Sequence, residues 1–66
     1  MKIKLVKGYI EYEEGEEIAH VVVGDFKVPI LSRGYKILGN IVHAKTYSGQ
    51  DIEINLKKKE ISFKKK

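Results

Sequence analysis

The 66-residue chain contains no cysteine, no tryptophan and a single proline, Pro29. Without cysteine, neither a disulfide, nor a thiol mechanism, nor a cysteine-based zinc site is available. No apolar run approaches the roughly 18 residues of a membrane-spanning helix, and no basic and apolar leader precedes a small-residue cleavage site. We therefore expect a cytoplasmic protein without a membrane partner. One glutamine and two asparagines beside abundant Lys, Glu and Ile are typical of a thermophilic source.

The short length predicts one small domain, residues 1–66. Domains of this size bury only about 60% of the surface that the unfolded chain exposes, which leaves them marginally stable. With no disulfide available, the simplest additional support is a homo-oligomer. A homodimer or another protein chain is therefore an expected partner.

Charge is distributed unevenly along the chain. The formal net charge is +4, yet residues 8–26 carry six acids and no lysine or arginine, hence −6. The remainder carries all 13 basic residues against Asp51, Glu53 and Glu60, hence +10. Such a field favours a polyanionic partner on one side of the molecule. The alternative is a solvated surface rich in ion pairs, as thermophile proteins have.

Six segments have the alternation or the β-branched composition of strands. They are residues 2–13, 17–23, 26–31, 35–46, 51–56 and 60–63. A shift of apolar phase near Gly8 predicts a bulge in the first segment, and Gly24-Asp25 predicts a hairpin turn with glycine first. Pro29 predicts that its strand lies at a sheet edge there or ends there. Residues 31–38 allow at most two helical turns, and Gly39-Asn40 is a possible break.

Closely spaced short strands predict an all-β fold, a five- or six-stranded barrel or sandwich of the SH3-like or OB-like kind. Residues 51–56 alternate most cleanly, which places Ile52, Ile54 and Leu56 in the core. Ile61 and Phe63 are expected to point inward from the last strand. Residues 64–66 are expected to form a flexible basic tail.

No pattern indicates catalysis. His20 and His43 lack a third ligand at metal spacing, and Ser32 and Ser48 lie in turns without a nucleophile elbow. The glycines occupy turn positions and form no phosphate loop. The carboxylates of residues 11–17 are expected to be solvated. We expect neither an enzyme, nor a metal site, nor a cofactor.

Basic and aromatic residues beside the fourth strand are candidates for nucleic-acid contacts, to DNA or RNA. Lysines and arginine bind the backbone, and exposed rings stack on bases. The candidates are Arg33, Lys36, Lys45, Tyr35 and Tyr47, with Lys57, Lys58 and Lys59 in a later turn. Two simpler interpretations compete: Tyr35 is half-buried, and the lysines solubilise the surface or block edge-to-edge aggregation.

A set of short motifs occurs in order within residues 28–33 and 49–65, with one between them. They are Val28-Pro29-Ile30, Arg33, Leu38-Gly39, Gly49-Gln50-Asp51-Ile52-Glu53-Ile54 and Glu60-Ile61-Ser62-Phe63-Lys64-Lys65. This arrangement resembles the AbrB/MazE-type swapped-hairpin family over about half the chain. The chain departs from that family at residues 41–47, which are additional, and in its longer N-terminal segment. The resemblance implies an interlocked dimer that binds DNA, with Arg33 and Lys27 as candidate contacts.

Three functions follow from these observations. The first is a nucleic-acid-binding β module that uses backbone charge and aromatic contacts with little sequence readout. The second is a protein-interaction or self-assembly module, in which the Pro29 edge or residues 60–63 pair with another strand. The third is the dimeric DNA-binding regulator that the resemblance implies.

Overall fold

The computed structural model describes residues 1–64 and consists of β-strands joined by turns. The strands are β1 (Lys2–Lys4), β2 (Tyr9–Glu11), β3 (Ile18–Val23), β4 (Phe26–Leu31), β5 (Lys36–Leu38), β6 (Ile41–Lys45), β7 (Asp51–Asn55) and β8 (Glu60–Phe63). The all-β prediction is confirmed. Within residues 1–64 there is no helix that is long and apolar enough to cross a membrane.

The strands form two antiparallel sheets in which each strand pairs with its neighbour in sequence. Sheet 1 has the order β1-β2-β3-β4, and sheet 2 has the order β5-β6-β7-β8. The two sheets approach each other along β4 and β6. The described strands do not close into a barrel, so each sheet keeps two edges.

The hairpin of β3 and β4 follows directly from its sequence. Val21, Val22 and Val23 are β-branched and suit a pleated strand. Val23 pairs with Phe26 across Gly24-Asp25, and Gly24 has a φ of 59°. A two-residue turn with glycine first requires this left-handed conformation. The predicted hairpin is confirmed.

Residues 2–13 are not one bulged strand, which corrects the prediction. The chain reverses between Lys4 and Tyr9, which pair with each other, and the Leu5 N–H donates to the Gly8 carbonyl at 2.8 Å. A Cβ on Gly8 would overlap the carbonyl oxygen of Val22. The shift of apolar phase that suggested a bulge is produced by this turn, which packs closely on β3.

Residues 35–46 form two strands rather than one. Leu38 pairs with Ile41 across Gly39-Asn40, where Gly39 has a φ of 60°. The possible break is therefore a tight turn. No helical turn forms within residues 31–38, because the ladder of β4 continues beyond Leu31 and Ser32 N–H donates to the Glu17 carbonyl at 2.8 Å.

The buried faces of both sheets contribute to one hydrophobic cluster. Its buried members are Leu5, Ile10, Ala19, Val21, Val23, Val28, Ile30, Val42, Ala44, Ile52, Ile54 and Leu56. No polar or charged residue of the described chain is buried. Each fully buried aliphatic side chain stabilises the fold by about 1.5–3 kcal/mol. The predicted core positions Ile52, Ile54 and Leu56 are confirmed. Ile61 and Phe63 of β8 lie on the same face of sheet 2 as Ile54 and Ile52, as predicted, but their side chains are exposed.

Candidate interaction surfaces

A cavity at one end of sheet 2, the basic cavity, gathers three lysines and a histidine. Lys36 on β5, His43 and Lys45 on β6 and Lys64 after β8 line a volume of about 150 Å³. Lys36 lies opposite His43 in the ladder, and both point outward because the neighbouring Val42 is buried. Two predicted nucleic-acid contacts, Lys36 and Lys45, thus lie on one surface.

Acidic neighbours offset part of this positive charge. Lys45 Nζ lies 3.6 Å from Asp51 Oδ1. Lys64 Nζ lies 3.2 Å from Glu53 Oε1, and His43 Nδ1 lies 3.5 Å from the same oxygen. Pairs this exposed contribute only about 0–1 kcal/mol, so the lysines can exchange these partners for a bound anion.

Lys64 is the one residue of the predicted tail, 64–66, that the structure describes. Lys64 N–H donates to the Asp51 carbonyl at 3.0 Å, which extends the ladder between β7 and β8 by one residue. Its side chain reaches Glu53. Lys64 therefore has a defined position on sheet 2, and residues 65–66 of the predicted tail lie outside the described residues.

The loop between the sheets contains two further predicted contacts. Arg33 is exposed in the bend at residues 32–34. Tyr35 is half-buried and packs against the core cluster, which reduces the ring surface on which a base could stack. Of the two predicted stacking residues, Tyr47 is the one whose side chain is mainly exposed.

The lysine turn of residues 57–59 lies at the other end of sheet 2. β7 begins opposite Lys45 and ends at Asn55, so the turn is about 17 Å away along a five-residue strand. Lys58 N–H donates to Asn55 Oδ1 at 2.9 Å, and Lys59 takes a φ of 55°. The structure therefore places Lys36 and Lys45 at one end of sheet 2, the lysines of residues 57–59 at its other end, and Arg33 in the loop between the sheets.

The acidic segment lies on the opposite side of the molecule from the basic cavity. A cavity of about 350 Å³ lies here, and its lining includes three acidic side chains, Glu11, Glu13 and Glu16, together with His20 and Lys27. Glu11 lies on the outer face of sheet 1, because Ile10 beside it is buried. The outer faces of the two sheets point away from each other, since their inner faces share one core.

An apolar groove of about 420 Å³ lies between β4 and β8, and we call it the β4–β8 groove. Val28 and Pro29 line it from β4, and Tyr47 lines it from the turn before β7. Ile61 and Phe63 line it from β8, with 37% and 59% of their surface exposed. Tyr47 is 73% exposed. Exposed apolar residues that cluster in this way mark interaction sites more often than single ones do.

Exposure of β8 follows from how the sheets pack. Ile61 lies opposite Ile54 and Phe63 lies opposite Ile52, so all four side chains point to the same face of sheet 2. Sheet 1 approaches this face along β6, and β8 is two strands further along the sheet. The inner face of β8 is therefore left uncovered.

The backbone of β8 presents free hydrogen-bonding groups at the edge of sheet 2. Lys64 N–H bonds the Asp51 carbonyl, which identifies Lys64–Asp51 as a hydrogen-bonded pair of the ladder. Hydrogen-bonded and non-hydrogen-bonded pairs alternate in antiparallel sheets. The N–H and C=O groups of Ile61 and Phe63 consequently point away from β7, toward the free edge.

The edge of β4, across the groove, is interrupted. Ser32 N–H bonds the Glu17 carbonyl, so Pro29 and His20, three steps further along the ladder, form a non-hydrogen-bonded pair. The backbone nitrogen of Pro29 therefore faces the free edge, and it has no hydrogen to donate. Of the two edges that border the groove, β8 is the one that can accept a further strand.

Comparisons with protein-family models, curated proteins and solved structures found no match to this chain. Within residues 1–64, no group of three or more His, Asp or Glu side chains is arranged to hold a metal ion. The basic cavity and the β4–β8 groove are the candidate binding surfaces of residues 1–64.

Sequence reasoning missed Ile61 and Phe63 as surface residues and did not connect His43 and Lys64 with Lys36. The position of β8 in the sequence could have indicated this exposure, because a short last strand between two lysine clusters is typical of a sheet edge. The basic cavity had no comparable signal, because its members come from three strands whose register is set by the turns.

Proposed function

We propose that this protein is an interaction module that binds an extended segment of another polypeptide by β-strand addition along β8. One observation carries the proposal: the free edge of β8 lies directly beside the apolar β4–β8 groove. Backbone hydrogen bonds at such an edge provide affinity, and pockets for alternate side chains provide specificity.

The open arrangement of the two sheets supports this function. Two sheets that share one core without closing leave edges open, whereas a closed barrel abolishes them. At β4 the edge is blocked by Pro29. At β8, lysines lie before and after the strand. They leave the backbone N–H and C=O groups of Ile61 and Phe63 free to pair with another strand.

The expected affinity is modest. Up to four hydrogen bonds, from the N–H and C=O groups of Ile61 and Phe63, would each contribute about 0.5–1.5 kcal/mol. Burial of apolar surface in the groove adds about 25 cal/mol per Å², while association costs several kcal/mol. A dissociation constant in the range of about 1–100 μM is expected for a short peptide.

The test is a titration of the protein with fluorescent peptides that alternate Val and Thr. A matched peptide carries N-methyl groups on the amides that would face β8. Strand addition predicts that the parent peptide binds, that the methylated one does not, and that amide signals of Ile61 and Phe63 shift in NMR spectra. Equal binding of the two peptides would contradict the proposal.

Nucleic-acid binding is the second candidate, and the basic cavity is the observation that favours it. Lys36, Lys45 and Lys64 converge there, and the exposed ring of Tyr47 follows Lys45 by two residues. The acids of sheet 1 lie on the other side of the core. A labelled single strand and a random duplex titrated across a salt series would test this function, since phosphate contacts make log affinity fall linearly with log salt.

A variant in which Arg33 and Lys36 are both replaced by alanine tests whether these two side chains contribute to nucleic-acid affinity. Both side chains are exposed, so the double variant should lose nucleic-acid affinity while its free energy of unfolding changes by less than about 0.5 kcal/mol per substitution. No binding by the parent protein at low salt would remove this candidate. The dimeric DNA-binding regulator implied by the AbrB/MazE resemblance stays a prediction, which the duplex titration and the mass in solution test together.

A further inference from the structure

We infer that the segment bound along β8 has a short alternating apolar centre with acidic residues on both sides. This inference rests on the proposed strand addition and concerns the chemistry of the partner. Its basis is the arrangement of charge around the one open edge that borders the groove.

Lysines stand at both ends of β8. Lys57, Lys58 and Lys59 precede the strand, and Lys64 follows it. Within residues 57–66 the chain has six lysines and one acid, Glu60, which gives +5. None of the ion pairs among the described residues involves the lysines of the 57–59 turn. The charges of this turn are therefore available to a ligand.

The length of β8 sets the spacing that a partner must match. Four residues, Glu60–Phe63, extend over about 13 Å at 3.3–3.4 Å per residue. The centre of an added strand would lie against Ile61 and Phe63, with alternate side chains in the groove. Beyond this centre on either side, the added strand would meet the lysines. Acidic residues therefore suit the flanks that face the lysines, whereas Glu60 disfavours an acid directly opposite it at the start of β8.

A second copy of this chain does not fit the edge. Pairing two β8 strands would bring two segments of +5 together, and like charges at close range disfavour association. The acid-rich part of this chain, residues 11–17, lies partly in β2 and in the turn that joins it to β3. The complementary acidic segment must accordingly come from a different polypeptide.

A single-stranded nucleic acid is the competing polyanion at this groove. Its phosphates would suit the lysines, and its bases could stack on Tyr47 and Phe63. Strand addition differs in that it requires backbone N–H groups on the ligand. The free groups of Ile61 and Phe63, which face the edge in alternation, favour a polypeptide.

The experiment compares three fluorescent peptides with the same Val-Thr-Val centre and with flanks of glutamate, glutamine or lysine. We expect the glutamate peptide to bind about tenfold more tightly than the glutamine peptide at low salt, from several exposed ion pairs, and the lysine peptide to bind most weakly. High salt should remove the differences, because exposed charges are screened. In the variant with Lys57→Gln, Lys58→Gln and Lys59→Gln, glutamate flanks should lose most of their advantage while the glutamine peptide binds as before.

Each outcome separates the inference from the proposed function. Equal binding of all three peptides, blocked by N-methylation, would overturn the acidic partner and leave strand addition standing. No binding by any peptide would overturn both. Binding of the glutamate peptide that N-methylation and Phe63→Ala leave unchanged, and that an oligonucleotide displaces, would show unspecific polyanion binding and would overturn the inference as well.

Discussion

β7 and β8 are neighbouring strands with the same alternation and opposite environments. In β7, Ile52 and Ile54 are buried in the core. In β8, Ile61 and Phe63 point to the same face of the same sheet and remain exposed. The difference lies in what covers each strand: sheet 1 reaches the centre of sheet 2 and stops short of its last strand.

This comparison shows that alternation determines the face of a sheet on which a side chain lies and does not determine its burial. A strand at the centre of a sheet and one at its edge can share a pattern, yet only the first has a second layer above it. Uncovered apolar positions on an edge strand are then available for a partner. The predictions below test this contrast, in order of decreasing effect.

Truncation of the directly opposed residues Ile54 and Ile61 should give very different results. Ile54 is fully buried and Ile61 is 37% exposed. Ile54→Ala should lower the free energy of unfolding by about 2–5 kcal/mol, because it removes buried methyl groups and leaves a cavity. Ile61→Ala should cost less than about 1 kcal/mol. Urea denaturation measures both, and equal losses would mean that β8 is covered in solution.

Gly8 should tolerate no side chain. Gly8→Ala places a methyl group against the Val22 carbonyl, and we expect a loss of about 1–3 kcal/mol because the turn between β1 and β2 must move away from β3. Val6→Ala is the control, since Val6 lies in the same turn and is 68% exposed. A Gly8 variant as stable as this control would show that the turn does not pack on β3.

Phe63 and Leu38 form a matched pair for binding. Their exposed fractions are 59% and 60%, and they lie on opposite edge strands of sheet 2. Phe63→Ala should weaken binding of the Val-Thr peptide about tenfold, as loss of an interface aromatic typically costs more than about 1 kcal/mol. Leu38→Ala should leave the affinity unchanged, because Leu38 is outside the groove. The reverse result would place the partner at β5.

The smallest effect is expected at an ion pair of the basic cavity. Lys45 and Asp51 are each about half exposed and lie 3.6 Å apart. Lys45→Gln should change the free energy of unfolding by less than about 0.5 kcal/mol, while any nucleic-acid affinity should fall and its salt dependence should become shallower. An unchanged salt dependence would mean that Lys45 contacts no phosphate.

Local chemistry made much of the fold predictable. The Gly24-Asp25 hairpin follows from a glycine that takes positive φ at little cost, and the core of β7 follows from clean alternation. The first segment was misread because a tight turn and a bulge both shift the apolar phase. Distinguishing them requires knowing that Gly8 touches Val22, fourteen positions away in sequence, which no local pattern contains.

The candidate surfaces were predictable only in part. Lys36 and Lys45 were found from charge, and Tyr47 from its place in a turn, since both properties are local. The environment of Tyr35 was left open between stacking and packing. In the structure the Tyr35 ring packs against the shared core, because it lies where the chain crosses from sheet 1 to sheet 2.

By itself the sequence determined that this chain forms short β-strands, where most of its turns lie and how its charge divides, because these properties depend on dihedral preferences and on composition within a few residues. Only the tertiary structure decided which strands are covered and which edges stay open. Those outcomes depend on how far one sheet extends over another. Pro29 closes one edge of the groove because its nitrogen faces outward, and β8 keeps its groups free because the ladder phase turns Ile61 and Phe63 away from β7.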